Sequence, residues 1–306
     1  MHLRLHTVTG EIDPAVVAIV DGHTHVWIDD VDAEASDAPI LNQAEAIERE
    51  LHDLVNAGVH LLVDCQPGGC GRNGQKLHDL SRATGIHIVA STGFHLRRYY
   101  PASAPLFDLD AKSAAQHFIR ELTEGLPEAP TVKAGIIKTA CEDRFSESPR
   151  ALFEAAVEAA LTTGCAIEVH TERGADAESI LAFMLDHHLP PHKLILCHMD
   201  KRPDFALHRE MASAGILLEY DTFLRPKYQP EQQVWTLLPQ MLEAGYEGSL
   251  VLATDLADPR MWHHMGGNPG AVGLVETVMR RLQQLGFSEK TVASVMGGNI
   301  IRAMAY

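Results

Sequence analysis

Eight short apolar or β-branched runs recur along the chain, each followed by a stretch with helical periodicity. No other feature limits the fold as much. The runs are VAIVDGHTHV (17–26), HLLVDC (60–65), HIVASTGF (87–94) and KAGIIKTA (133–140) in the first half. CAIEVHTE (165–172), KLILCHMD (193–200), GILLEYDT (215–222) and SLVLATDL (249–256) follow in the second. Between them, AEAIERELHDLVNAG (44–58) sets Ile47, Leu51, Leu54 and Val55 on one helical stripe. PRALFEAAVEAALTTG (149–164) repeats the pattern, with proline at its start and glycine after its end. Eight strand–helix units over about 250 residues match an α/β fold, the (β/α)8 TIM barrel. A doubly wound sheet would have fewer strands and a glycine-rich first turn, which is absent. Neither a linker nor a low-complexity segment interrupts the pattern. One domain over residues 1–306 is expected, with residues 1–16 and a helix from Ser288 capping the barrel.

Composition narrows the partners. Hydrophobic residues make up 46% and charged residues 22% of the 306, ordinary values for a soluble globular chain. No apolar run approaches the roughly 18 residues of a membrane span, and MHLRLHTVTG lacks a signal-peptide core. No membrane association and a cytoplasmic location are the expectations. The cysteines Cys65, Cys70, Cys141, Cys165 and Cys197 are odd in number and show no CxxC spacing, so they read as buried reduced thiols. A net charge of −16 argues against nucleic acid. The 18 histidines exceed ordinary usage, and several end strand-like runs.

In a barrel of this kind, functional side chains come from the C-terminal strand ends. The first run ends in His23-Thr24-His25, and alternation puts both histidines on one face. Lys138 lies in the fourth run, His170 in the fifth, His198 in the sixth and Asp255 in the eighth. Taken singly, each has a plain structural explanation. An HxH pair or a lone histidine can be a hydrogen-bonded core residue, and Asp255 could cap the helix after it. Together they would be coincidences at equivalent places in separate units. A metal site is the simpler account.

Lys138 is the hardest of the set to place. A buried ammonium is unfavourable, and it would repel cations. A lysine carboxylated by CO2 carries an anionic carbamate able to bridge two metals, and burial favours the neutral amine that this needs. A buried Lys–Asp or Lys–Glu pair is the alternative.

These residues resemble the phosphotriesterase family of the amidohydrolase superfamily, and the resemblance runs nearly end to end. It is carried by HTVTGEI (6–12), DGHTHV (21–26), GRNGQKLHDLSRATGIHIVASTGFH (71–95) and GIIKTA (135–140). It continues through EVHTERG (168–174), CHMDKRPD (197–204), ATDL (253–256) and GFSEKTVASVMGGN (286–299). The family often reads THEH where this chain has GHTH, and the HxH spacing survives. The resemblance implies a binuclear divalent centre at the C-terminal end of the strands. Zinc is the usual metal, with manganese, cobalt or nickel as substitutes. His23, His25 and Asp255 would hold the more buried ion, and His170 and His198 the more exposed one. N6-carboxylysine at Lys138 would bridge them. A bridging hydroxide would be the nucleophile, with Asp255 accepting its proton. A homodimer is also expected from the resemblance alone.

The sequence gives one clue to the small-molecule substrate. EYDTFLRPKYQPE (219–231) follows the seventh run and should lie at the barrel mouth. Arg225, Lys227 and Tyr228 lie within it, and Lys201 and Arg202 sit after the sixth run. Such a cluster suits a phosphate or carboxylate, and R-x-x-Y here is similar to members that open phosphorylated sugar lactones. Rim salt bridges to Glu219, Asp221 or Asp204 are the alternative. Trp262, His263, His264, Tyr99 and Tyr100 could line the pocket or pack loop against loop. The reading is a metal-dependent hydrolase of an ester or lactone, best an anionic sugar lactone. Neutral lactones or organophosphate triesters are the second hypothesis, and a non-catalytic binding protein the third.

Overall fold

The computed structural model describes residues 3–306. Strands β1 (Leu5–Thr7) and β2 (Gly10–Ile12) form a small antiparallel pair. The first four barrel strands are β3 (Val20–Thr24), β4 (Leu61–Asp64), β5 (His87–Gly93) and β6 (Ala134–Cys141). The other four are β7 (Ile167–Thr171), β8 (Leu194–Leu196), β9 (Leu217–Tyr220) and β10 (Leu250–Leu252). All eight are parallel and ordered β3 through β10 in sequence, with helices between them. The ring is drawn together where Asp255 N–H donates to His23 O at 2.8 Å. Beside it, Thr254 donates through N at 3.0 Å and Oγ1 at 2.5 Å to the Asp21 carboxylate. The expected (β/α)8 barrel is present.

The eight runs read as near-continuous apolar stretches because both faces are covered. Outside, helices such as Ala44–Asn56 and Arg150–Thr163 pack their apolar stripes on the strands. The second ends as its glycine foretells, with Gly164 in the left-handed conformation at φ 78°. Inside the barrel, Val63, Val89, Ile136, Ala166, Ile195, Leu217 and Val251 form an apolar floor. Leu5 from β1 and Ile300, Ile301 and Met304 near the C-terminus plug it from below. Both terminal segments therefore close the barrel as expected, and Ser288 caps its helix by accepting from Thr291 N–H at 3.1 Å. None of the described helices is long and apolar enough to cross a membrane.

Polarity enters one layer higher, and register decides which groups meet. Lys138 on β6 pairs in register with Gly93 on β5 and with Glu168 on β7. Gly93 (φ 103°) lets β5 come this close, because a Cβ there would lie 1.9 Å from Lys138 O. The sixth and eighth runs end earlier than expected, at Leu196 and Leu252. His198 and Asp255 lie beyond them in left-handed backbone, at φ 61° and 47°. Strand alternation does not reach these two residues. Their side chains are aimed by local backbone bends of the kind that concentrate at functional sites.

Candidate metal centre

Six side chains from five strands meet above the apolar floor. His23 and His25 turn their Nε2 atoms toward Asp255 Oδ1, at 3.7 and 3.8 Å. Facing them, His170 Nδ1 and His198 Nε2 are 2.9 Å apart. Lys138 Nζ rises between the groups, 3.5 Å from His23 Nε2. The structure thus brings together all six residues read from the sequence as metal ligands.

A second set of groups, not singled out by sequence reasoning, fixes the histidine rings. His23 Nδ1 donates to Glu219 Oε1 at 2.7 Å, His25 Nδ1 to Gln66 Oε1 at 2.8 Å, and His198 Nδ1 to Asp221 Oδ2 at 2.6 Å. Each bond holds the ring with its Nε2 lone pair turned inward, the usual support of a metal-ligating histidine. Burial is the largest influence on these rings. It lowers the pKa of His23 and His198 well below the ordinary value, lowers that of His170, and brings that of His25 to about 4. They are neutral at pH 7 and able to ligate. For Asp255, burial opposes ionisation, but Arg225 and His198 outweigh it and hold the pKa at about 2. Imidazoles with an ionised carboxylate suit zinc and its neighbours, so the donor set fits divalent ions.

Lys138 differs from expectation. It is fully buried, yet its Nζ lies 2.7 Å from Glu168 Oε1, so the Lys–Glu alternative is present among the protein groups. Burial by itself would lower its pKa. The acidic groups of Cys197, Cys65, Glu168 and Glu219 outweigh burial and push it well above the ordinary value. The neutral amine is therefore not favoured by the side chains alone.

A cavity of about 400 Å³ opens over the centre, and Arg225, Lys201, Lys227, Tyr228 and Tyr99 all line it. Lys201 and Lys227 lie over the Tyr228 ring, 5.1 and 4.9 Å from its centroid. The alternative, rim salt bridges to Glu219, Asp221 or Asp204, does not form among the described residues. Glu219 and Asp221 are taken by histidines, and Asp204 caps the next helix by accepting from Ala206 and Leu207 N–H. Arg225 Nη2 instead comes within 2.9 Å of Asp255 Oδ2 without hydrogen-bond alignment, and its Nε and Nη2 have no hydrogen-bond partner.

Other rim candidates turn elsewhere. Arg202 pairs outward with Glu178 at 2.9 Å. Tyr100 is buried, its hydroxyl accepting from His95 N–H at 3.0 Å. Trp262 is buried and donates to Leu256 O at 3.1 Å, while His264 pairs with Asp53 at 2.7 Å. Of the residues not anticipated, His95 lines the cavity with its Nδ1 taken by Leu96 N–H at 2.7 Å. Asp29, Asp30 and Asp32 line it from the segment after β3.

Fold and site together define a metal-dependent barrel hydrolase of ester bonds. The chain belongs to the phosphotriesterase family, whose profile matches residues 3–303. A phospho-furanose lactonase of Mycoplasmopsis synoviae (strain 53) is 25% identical over 98% of this chain and 91% of its own. The solved structure of the phosphotriesterase homology protein from Escherichia coli, complexed with phosphate in its active site, is 25% identical. It superposes with a TM-score of 0.86 over 96% of this chain and 100% of that one. An amidohydrolase from Mycoplasma synoviae, 23% identical, shares the fold with a TM-score of 0.92 over 100% of this chain and 92% of that one.

Proposed function

We propose that this protein is a binuclear hydrolase that opens a lactone or ester carrying an anionic group, best a phosphorylated sugar lactone. His23, His25 and Asp255 would hold one divalent ion, His170 and His198 the other, and a carboxylated Lys138 both. Zinc suits the donor set best, with manganese, cobalt or nickel as substitutes. When bound, the two ions would activate water and polarise the scissile carbonyl.

The observation carrying the substrate reading is Arg225. Its guanidinium lines the cavity beside the metal-ligand set, with Nη2 2.9 Å from Asp255 Oδ2. A phosphate or carboxylate in the cavity would be drawn to this cation, an attraction that a neutral lactone lacks. Lys201, Lys227 and the Tyr228 hydroxyl extend the same wall. The phospho-furanose lactonase relative and the phosphate in the active site of the E. coli structure support a substrate that carries an oxyanion.

A hydrolysis screen across phosphorylated sugar lactones, neutral lactones and phosphotriesters tests the reading. Phosphorylated lactones should give the highest kcat/KM, and preference for a neutral lactone or a triester would replace the proposal. Arg225→Ala should raise KM for the anionic lactone about 10- to 100-fold, the scale of a lost charged hydrogen bond of about 1.5–3 kcal/mol. Equal effects on a neutral ester would leave Arg225 only the role of holding Asp255. Metal analysis of the purified, zinc-supplemented protein should find close to two divalent ions per chain. A value near zero would remove the binuclear reading.

A further inference from the structure

Glu168 is, among the described residues, the one fully buried carboxylate that pairs with Lys138, and nothing in the reaction outlined above uses it. It sits beneath the centre and does not line the cavity. Its Oε1 is the meeting point of four donors: Lys138 Nζ at 2.7 Å, Cys65 Sγ at 3.0 Å, Cys197 Sγ at 3.1 Å and His23 Nδ1 at 3.1 Å. The His23 proton has a shorter path to Glu219, at 2.7 Å, so Glu168 is not needed to orient that ring. The two thiols hold the carboxylate in place. Its particular partner is the lysine nitrogen.

Among the described residues the other hydrogen-bond partners of Nζ are Cys197 Sγ at 3.4 Å and His23 Nε2 at 3.5 Å. Glu168 approaches His23 from the Nδ1 side, whereas Nε2 faces the metal-ligand set. The carboxylate and the centre therefore lie at different edges of the His23 ring, and Nζ reaches both, at 2.7 Å from Glu168 Oε1 and 3.5 Å from His23 Nε2.

We infer that Glu168 is the positioning residue for a carboxylated Lys138, accepting the carbamate N–H and so directing its carboxylate to the metals. The inference rests on the carbamate reading of Lys138. In forming a carbamate, the lone pair of the neutral amine attacks the carbon of CO2 and a C–N bond forms. One C=O π pair passes to oxygen, and the nitrogen gives one proton to solvent. One N–H remains. Conjugation makes that nitrogen planar, as in a peptide, so its three substituents share a plane. Cε occupies one direction, and the hydrogen points to Glu168 Oε1. The carboxylate is left the third direction, away from Glu168. One hydrogen bond thereby selects between two rotamers about Cε–Nζ, only one of which faces the centre.

The charge of Glu168 acts against carboxylation, because it stabilises the competing ammonium. Its hydrogen-bond acceptor acts in favour. Glu168→Gln and Glu168→Met both remove the charge, and only Gln retains an acceptor oxygen, so comparing them isolates the hydrogen bond. The measurement is ¹³C NMR of the full chain in ¹³C-bicarbonate with ¹⁵N-lysine, titrated to half-maximal carbamate signal. Glu168→Met should need up to about 10-fold more bicarbonate than Glu168→Gln, the effect of one hydrogen bond to a neutral acceptor. Equal titrations would overturn the inference. If Glu168→Met does not fold, the wild-type carbamate N–H decides. Protection from exchange and a downfield shift support the assignment, and free exchange overturns it. A wild-type protein without any carbamate signal would instead remove the underlying reading of Lys138.

Discussion

Lys138→Ala is expected to lose about three orders of magnitude in kcat/KM together with its bound divalent ions, and to regain part of both in a short carboxylic acid. A factor of 10³ corresponds to about 4 kcal/mol of transition-state stabilisation, the scale on which metal ions act on a scissile carbonyl. The five remaining ligand candidates divide between two positions, and Lys138 stands between them, 3.5 Å from His23 Nε2. Without it no protein anion would link the two ions, and their mutual repulsion would expel at least one. A small carboxylate diffusing into the gap would restore two oxygens at the same place. The variant also leaves Glu168 buried without its 2.7 Å partner, a lost hydrogen bond to a charged group that should destabilise the fold by about 1.5–3 kcal/mol. Lys138→Ala with Glu168→Gln separates the two effects. The double variant should recover thermal stability without recovering metal. Full activity in Lys138→Ala would eliminate the bridge.

The barrel was legible because each strand run is buried on both faces and each helix on one, two periodicities that do not mimic each other. The ligand set was legible for a similar reason, since histidine, lysine and aspartate are conspicuous against apolar strands. What the sequence hid is how these groups are held. Glu168 lies two residues before His170, so β7 alternation turns both toward the barrel axis, yet nothing local says that Lys138 is its partner across the ladder. Glu219 and Asp221 stood in the same run as candidate rim partners, but they reach His23 and His198 from β9 and its end. Gln66 and His95 follow the ends of β4 and β5, where polar residues are ordinary. Such pairings join residues 23 to 196 positions apart, from His198–Asp221 to His23–Glu219, and only barrel closure sets them. The bends at His198 and Asp255 were hidden too, because their left-handed backbones carry no glycine signal.

Asp255→Asn is expected to lower kcat about 10³-fold while retaining part of the metal, and the pH profile around it separates two roles for the carboxylate. A proton acceptor works best with a pKa near the operating pH. Asp255 is far from that, at about 2, because Arg225 and His198 outweigh the burial that opposes its ionisation. With Arg225 Nη2 2.9 Å from Oδ2, the ionised form is fixed, which suits a metal ligand better than a base. The wild-type rate should therefore show no acid limb from Asp255 above about pH 4, since a group with a pKa near 2 stays ionised there. Removing the cation has a definite sign. Arg225→Met withdraws the positive charge that favours the carboxylate, so the Asp255 pKa rises and any limb belonging to it moves to higher pH. A limb that moves upward in Arg225→Met would make Asp255 the acceptor of the attacking water's proton. An unmoved profile, with kcat lost in Asp255→Asn, would leave it as a ligand alone. Undiminished kcat in Asp255→Asn would remove both roles and, with them, this residue from the centre.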